Sequence, residues 1–167
     1  GPLILLARPD ARGQAALDAL RAAHWPPPGP RLPAHVTLMR QLPPSQEAEL
    51  LARTKTEARG RRAPAARSLG FTERDAGVAL RIDCPALADL RERLAEAWEP
   101  LLTAPDRGPA WLHVTITHGL SPREVRATTA RLAAGPLPPP IVIAALEIWR
   151  WRPAGPLDFA GRIALRP

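Results

Sequence analysis

The sequence predicts one bilobal domain of mixed strands and helices, built from two related halves that face each other across a cleft. Three observations predict it. The stretch AHVTLMRQLPP from Ala34 returns as LHVTITHGLSP from Leu112, sharing His, Val and Thr and then a leucine and a proline at matched offsets. Each copy follows a strand, a helix and a Pro/Gly-rich loop and precedes another helix, so the order of elements repeats with the motif. First strand to motif is 32 residues in one half, Leu3 to His35, and 35 in the other, Val78 to His113. Two copies are too few for a solenoid and pack most simply about a pseudo-twofold axis. No credible linker divides the chain, so residues 1–167 are read as a single domain.

Each element has its own local reason. Leu3 to Arg8 is a short apolar run bounded by Pro9, as expected of a buried strand. Asp10 caps a helix through AALDALRAA, with Leu17 and Leu20 on one face, and WPPPGPRLP ends it as a rigid loop. The first motif strand runs from Ala34 to Leu42, and a polar helix from Ser45 to about Gly60. Strands follow near 65–72 and 77–83, joined by the turn-prone ERDAG. Pro85 opens a helix on which Leu87, Leu90, Leu94, Trp98 and Leu101 recur at helical spacing. TAPDRGPA breaks it, and the second motif strand runs from Trp111 to His118. Ser121-Pro122-Arg123-Glu124 is a capping box with proline at the first helical position, opening a helix that ends near Gly135. IVIAALEIWRW and DFAGRIAL are two late strands.

Composition narrows the class. A chain this long buries well over half of its unfolded surface, so neither disulfide nor metal is needed to staple it. The single cysteine, Cys84, suits a reducing compartment. No apolar run is long enough for a transmembrane helix, and GPLILLARPD lacks the basic flank of a signal peptide. A cytoplasmic monomer with no membrane partner is therefore expected. Lys+Arg number 23 against 16 Asp+Glu, giving +7, and Lys55 is the only lysine. Guanidinium forks favour phosphate through paired hydrogen bonds, which points toward nucleotides or nucleic acid. A GC-rich genome is the competing explanation for so much Arg, Ala and Pro.

The motifs carry the chemistry. Side chains alternate along a strand, so His35 and Thr37 share a face, opposite Val36 and Leu38. His113, Thr115 and Thr117 likewise share one, opposite Val114 and Ile116. Two such strands across a cleft bring two imidazoles and two hydroxyls to one small polar target. A base and an acid on opposite sides of a phosphate suit in-line displacement, and hydroxyls on the non-bridging oxygens stabilise the developing charge. Histidines satisfied by backbone carbonyls in ordinary strands are the competing reading.

With HVTL at 35–38 and HVTI at 113–116, the chain resembles the 2H phosphoesterase superfamily, with its duplicated HxTx signature, which includes 2′,5′ RNA ligases and cyclic phosphodiesterases. GVALRIDCPALADLRERLAEAW, LLTAPDR and the late LEIWRWRPAGP…FAG run are similar to the bacterial 2′,5′ RNA ligase-like branch. The resemblance implies an α+β fold of two lobes with antiparallel sheets around the cleft and helices outside. It also implies metal-independent chemistry with no cofactor, hydrolysing 2′,3′-cyclic phosphates of RNA ends or small cyclic nucleotides to a 2′-phosphate. By motif position, His35 and His113 become the catalytic acid/base pair, and Thr37 and Thr115 the phosphate binders. Where that branch commonly carries Arg or Lys after the second motif, this chain has Thr117-His118-Gly119.

Further candidates for substrate contact are Arg40, Thr117, His118, Phe71, Trp149 and Trp151. Strict alternation puts Arg40 and His118 on the face away from the catalytic histidines. The aromatics are candidates to stack on a base, with core packing as their other role. Arg150 and Arg152, alternating with the late tryptophans, either meet distal phosphates or form a solvated edge. A zinc site would need more ligands than one histidine per strand. Two other functions stay open: a 2′,5′ RNA ligase running the same chemistry in reverse, and an RNA-end-binding module without turnover.

Overall fold

The computed structural model describes residues 1–167. In chain order its main elements are β1 (Leu3–Pro9), α1 (Ala11–His24), β2 (Val36–Leu42), α2 (Glu47–Ala58), β3 (Ala65–Arg74) and β4 (Gly77–Asp83). They continue as α3 (Pro85–Ala97), β5 (His113–Thr117), α4 (Pro122–Ala134), β6 (Ile141–Arg150) and β7 (Asp158–Ala164). The strands form one antiparallel sheet in the order β1-β2-β5-β4-β3-β6-β7, and a further β1–β6 pairing closes the first six into a ring. The fold is α+β and bilobal, as the sequence predicts.

The two lobes follow from how unevenly that ring is bonded. β1 pairs along its length with β2 and β6, and β4 with β3 and β5. Between these groups only Val36↔Val114 links β2 to β5, and only Ala65↔Val142 and Ala66↔Ile141 link β3 to β6. The duplication is thus circular: β3-β4-α3-β5-α4 is contiguous, whereas the other half draws its third strand, β6, from beyond the second copy. α1 packs on β1, β6 and β5, α4 on β3 and β4, and α2 between α3 and β7. No helix is long and apolar enough to cross a membrane.

Local sequence accounts for most boundaries. Asp10 Oδ1 accepts from the Gly13 amide at 2.9 Å, and the Ser121–Glu124 capping box forms in both directions. The apolar stripe of α3 buries Leu87, Leu90 and Leu94 completely or nearly so; truncating one to alanine costs about 2–5 kcal/mol. Gly77 is required by close approach, because a Cβ there would meet the Thr117 carbonyl oxygen, so β4 begins tight against the end of β5.

Some expectations need correction. The stripe on α3 stops at Trp98, since Pro100 disfavours helical geometry before it; Glu99–Leu101 is a 3-10 turn and Leu101 is exposed. The polar helix begins at Glu47, after a 3-10 turn over Pro44–Gln46. The second motif strand is shorter than predicted, His113–Thr117. In the first copy the ladder starts at Val36, and the Ala34 peptide before His35 is held by α1 instead. Asp18 accepts its N–H at 2.7 Å and Gln14 donates to its carbonyl at 2.9 Å.

Candidate active site

The single bridge Val36↔Val114 lies at the centre of the site. In an antiparallel pair the neighbours of a bridge oppose each other, so His35 falls beside Thr115 and Thr37 beside His113. Four polar side chains therefore surround a pseudo-twofold point, above buried Val36, Leu38, Val114 and Ile116. The hydroxyls of Thr37 and Thr115 have no hydrogen-bond partner within the protein, although both side chains are half-buried.

The two histidines are held alike. His35 Nδ1 lies 2.8 Å from the Pro33 carbonyl oxygen, and His113 Nδ1 lies 3.0 Å from that of Trp111. A carbonyl only accepts, so each Nδ1 carries the proton and each neutral ring is left with its Nε2 lone pair free. Burial lowers both pKa values to about 4. For His35, Arg21 and Arg8 add to the lowering, against the Pro33 bond and Glu147. For His113, Arg74, Arg40 and His35 add to it, against the Trp111 bond. Both rings are neutral in the free protein at neutral pH.

Each motif strand then carries a β-bulge at the same place. Leu5 pairs Met39 and Leu6 pairs Thr37, so Leu38 is the extra residue of β2. Val78 pairs Thr117 and Ala79 pairs Thr115, so Ile116 is the extra residue of β5. A bulge resets the alternation by one, giving two inward residues in succession: Leu38-Met39 and Ile116-Thr117 are all buried. The two bulges and the early end of β5 correct three expectations. Arg40 emerges on the cleft side rather than the far one. Thr117 turns inward and donates to the His24 carbonyl at 2.9 Å, so it ties β5 to α1 and does not reach a substrate. His118 is exposed beyond the strand end and is not among the residues lining the cleft.

The cleft comprises two adjoining cavities that share Thr37 and Arg40 as a common wall. One, of about 80 Å³, is lined by His113, Trp111, Arg74, Arg91, Asp106 and Arg107 among others. Two of these charges are scaffold. The buried Asp106 carboxylate accepts from the Arg40 and Gln41 amides at 2.7 and 2.9 Å, pinning the bulged end of β2. Arg91 donates to the carbonyls of Leu38, Gly108 and Asp106, fastening that bulge to the loop before β5. The Arg40 and Arg74 side chains, by contrast, make no ion pair or hydrogen bond with the protein. Arg74 lies 4.3 Å over the Trp111 ring, which packs 4.3 Å from the His113 ring.

The other cavity, of about 360 Å³, brings His35 together with Ile4, Leu32, Gln41 and Trp151. Of the predicted aromatics only Trp151 faces the cleft. Trp149 donates to Glu147 at 3.0 Å and packs edge-on against Phe159, and Phe71 packs against the core from the side it shares with its partner Leu80. Arg150 and Arg152 are ion-paired with Glu47 and Asp158. Sequence reasoning missed Arg74, Trp111, Arg91 and Asp106; of these only Trp111, two residues before the second histidine, carried a local signal. No group of three or more His, Cys, Asp or Glu is placed to hold a metal ion.

Comparison with known proteins bears on this geometry. No curated protein sequence matches the chain. Among solved structures, TT0787 of Thermus thermophilus is similar at 20% identity and a TM-score of 0.65, covering 99% of this chain and 98% of that one. A phosphoesterase structure matches at 18% identity and 0.64, covering 99% of each chain. E. coli LigT in its apo form matches at 16% identity and 0.59, covering 99% and 98%, and LigT has also been solved with 3′-AMP and with phosphate. At such identities these likenesses concern the fold. The model of the 2′-5′ RNA ligase superfamily matches residues 9–155, a span that holds both HVT strands and the loops around the cleft, and the chain belongs to that superfamily, the 2H phosphoesterases.

Proposed function

We propose that this protein opens 2′,3′-cyclic phosphates of RNA ends or small nucleotides to a 2′-phosphate, by two-histidine acid–base catalysis that needs no metal. The observation that carries the reading is the matched pair of locked tautomers, each presenting a free Nε2 beside a threonine hydroxyl without a protein partner. One neutral Nε2 takes a proton from water as its oxygen attacks phosphorus. The other ring, protonated, gives its proton to the 3′-oxygen as the P–O3′ bond breaks. The base leaves charged and the acid neutral, and one proton exchange with solvent restores the pair. Both rings are neutral in the free protein, so the acid form arises when the anionic phosphate enters and favours an imidazolium. Thr37 and Thr115 donate to the non-bridging oxygens, while Arg40 and Arg74 oppose the charge that builds on them.

The occurrence of 3′-AMP and phosphate in LigT, a protein of the same fold, supports the substrate class. We take the protein to act as a cytoplasmic monomer. The test is turnover of 2′,3′-cyclic AMP in EDTA, with the product identified by phosphorus NMR. A 2′-phosphate is expected, and His35→Ala or His113→Ala should each lower the rate by about 10²–10⁴. Wild-type turnover by either variant overturns the assignment, and a 3′-phosphate product overturns the choice of leaving oxygen.

A further inference from the structure

The two cavities of the cleft differ in chemistry although their lobes are related by duplication. On the His113 side the wall is guanidinium-rich, and the face of its tryptophan, Trp111, is already covered by Arg74 at 4.3 Å. On the His35 side the wall adds an apolar surface, Ile4, Leu32 and Trp151, to the shared Thr37 and Arg40. Trp151 has no aromatic or cationic partner and is 40% exposed, while its backbone is fixed by a 2.8 Å bond from its N–H to the Pro2 carbonyl. Beyond His35 and the shared Thr37 and Arg40, one further polar side chain lines this cavity: the Gln41 amide, whose only side-chain partner is the Thr103 hydroxyl at 2.9 Å. At about 360 Å³, a cavity that joins an aromatic and aliphatic surface to a few polar groups falls within the range of about 300–1,000 Å³ usual for small-molecule sites.

We infer that this cavity is a nucleobase subsite: the base stacks on Trp151 against Leu32 and Ile4, and the Gln41 amide meets its edge. The shared wall of Thr37 and Arg40 then sets the attached phosphate between the two histidines. The placement of the phosphate rests on the proposed function; the base subsite rests on the cavity. It makes the substrate a nucleoside phosphate, and it breaks the symmetry of the cleft, with the nucleoside on the His35 side. Stacking tolerates any base, because every base has a π-face, whereas an amide distinguishes base edges.

Calorimetric titration with 2′-AMP and with inorganic phosphate tests it. The wild type should bind 2′-AMP about tenfold or more tightly than phosphate, the gain expected of one stacked base. Trp151→Ala should erase most of that margin and leave phosphate affinity as it was, and Trp151→Phe should restore it. Gln41→Ala should change the ranking of 2′-AMP against 2′-CMP without abolishing the margin. Equal wild-type affinities for 2′-AMP and phosphate, or a Trp151→Ala variant that loses both together, overturn the inference. A protein that binds 2′-AMP through Trp151 yet opens no cyclic nucleotide upholds the subsite and overturns the catalytic reading instead.

Discussion

Holding two histidines neutral inside a cleft has a cost in stability that pH reveals. The perturbation is His113→Asn, which removes a ring that is 6% exposed while keeping a polar head near the Trp111 carbonyl. Unfolded, that histidine takes a proton near pH 6.5; folded, only at about 4. Between those values the unfolded chain binds one proton more than the native protein. The contribution to stability is therefore complete above pH 6.5 and falls by about 1.4 kcal/mol per pH unit toward pH 4. From pH 7 to pH 5 the expected loss is about 2 kcal/mol for this ring. Urea denaturation followed by circular dichroism at the two pH values reads it directly. The wild type should lose about 2 kcal/mol more than His113→Asn over that interval, because carboxylates and all other groups are common to both proteins. Equal losses would refute the buried, neutral ring, and with it the premise that both histidines of the proposed acid–base pair start unprotonated.

The other predictions separate groups that act on substrate from groups that hold the cleft. Because both rings titrate near 4 in the free protein, kcat/KM for 2′,3′-cyclic AMP should fall with rising pH above about 5, while the kcat profile lies at higher pH, as the bound phosphate favours the protonated acid; coincident profiles argue against this order of events. Thr117→Val should cost about 1 kcal/mol of stability through the lost bond to His24 and leave turnover nearly intact, whereas Thr115→Val should slow turnover and leave the urea midpoint unchanged. Asp106→Ala strips two amides of a charged, buried acceptor and should destabilise by about 3 kcal/mol, with Asp106→Asn losing less; an unchanged midpoint in the alanine variant would remove Asp106 from the support of Arg40.

How much of this was legible in the sequence depended on the range of the interaction concerned. The repeated HVT, the matched element order and the alternation that puts each histidine on a face with its threonine are properties of neighbouring residues. So are the Ser121–Glu124 capping box and the stripe of α3, and a single chain displays them. These local patterns were enough to specify the two-lobed architecture and which four side chains would meet. What surrounds those four was settled by packing between distant segments. A bulge exists only relative to the strand alongside, so alternation could not foresee that Leu38 and Ile116 would be skipped, bringing Arg40 to the cleft and burying Thr117. Arg74 stands 37 residues before Trp111 in sequence, yet the two stack 4.3 Å apart because β3 and β5 flank the same central strand. Trp149 and Trp151 look alike in a strand, but β6 ends at Arg150; Trp149 is held within the sheet by Glu147 and Phe159, and Trp151, just past its edge, is left to face the cavity. Local periodicity assigns a side chain to a face; only the register between strands distant in sequence decides what that face meets.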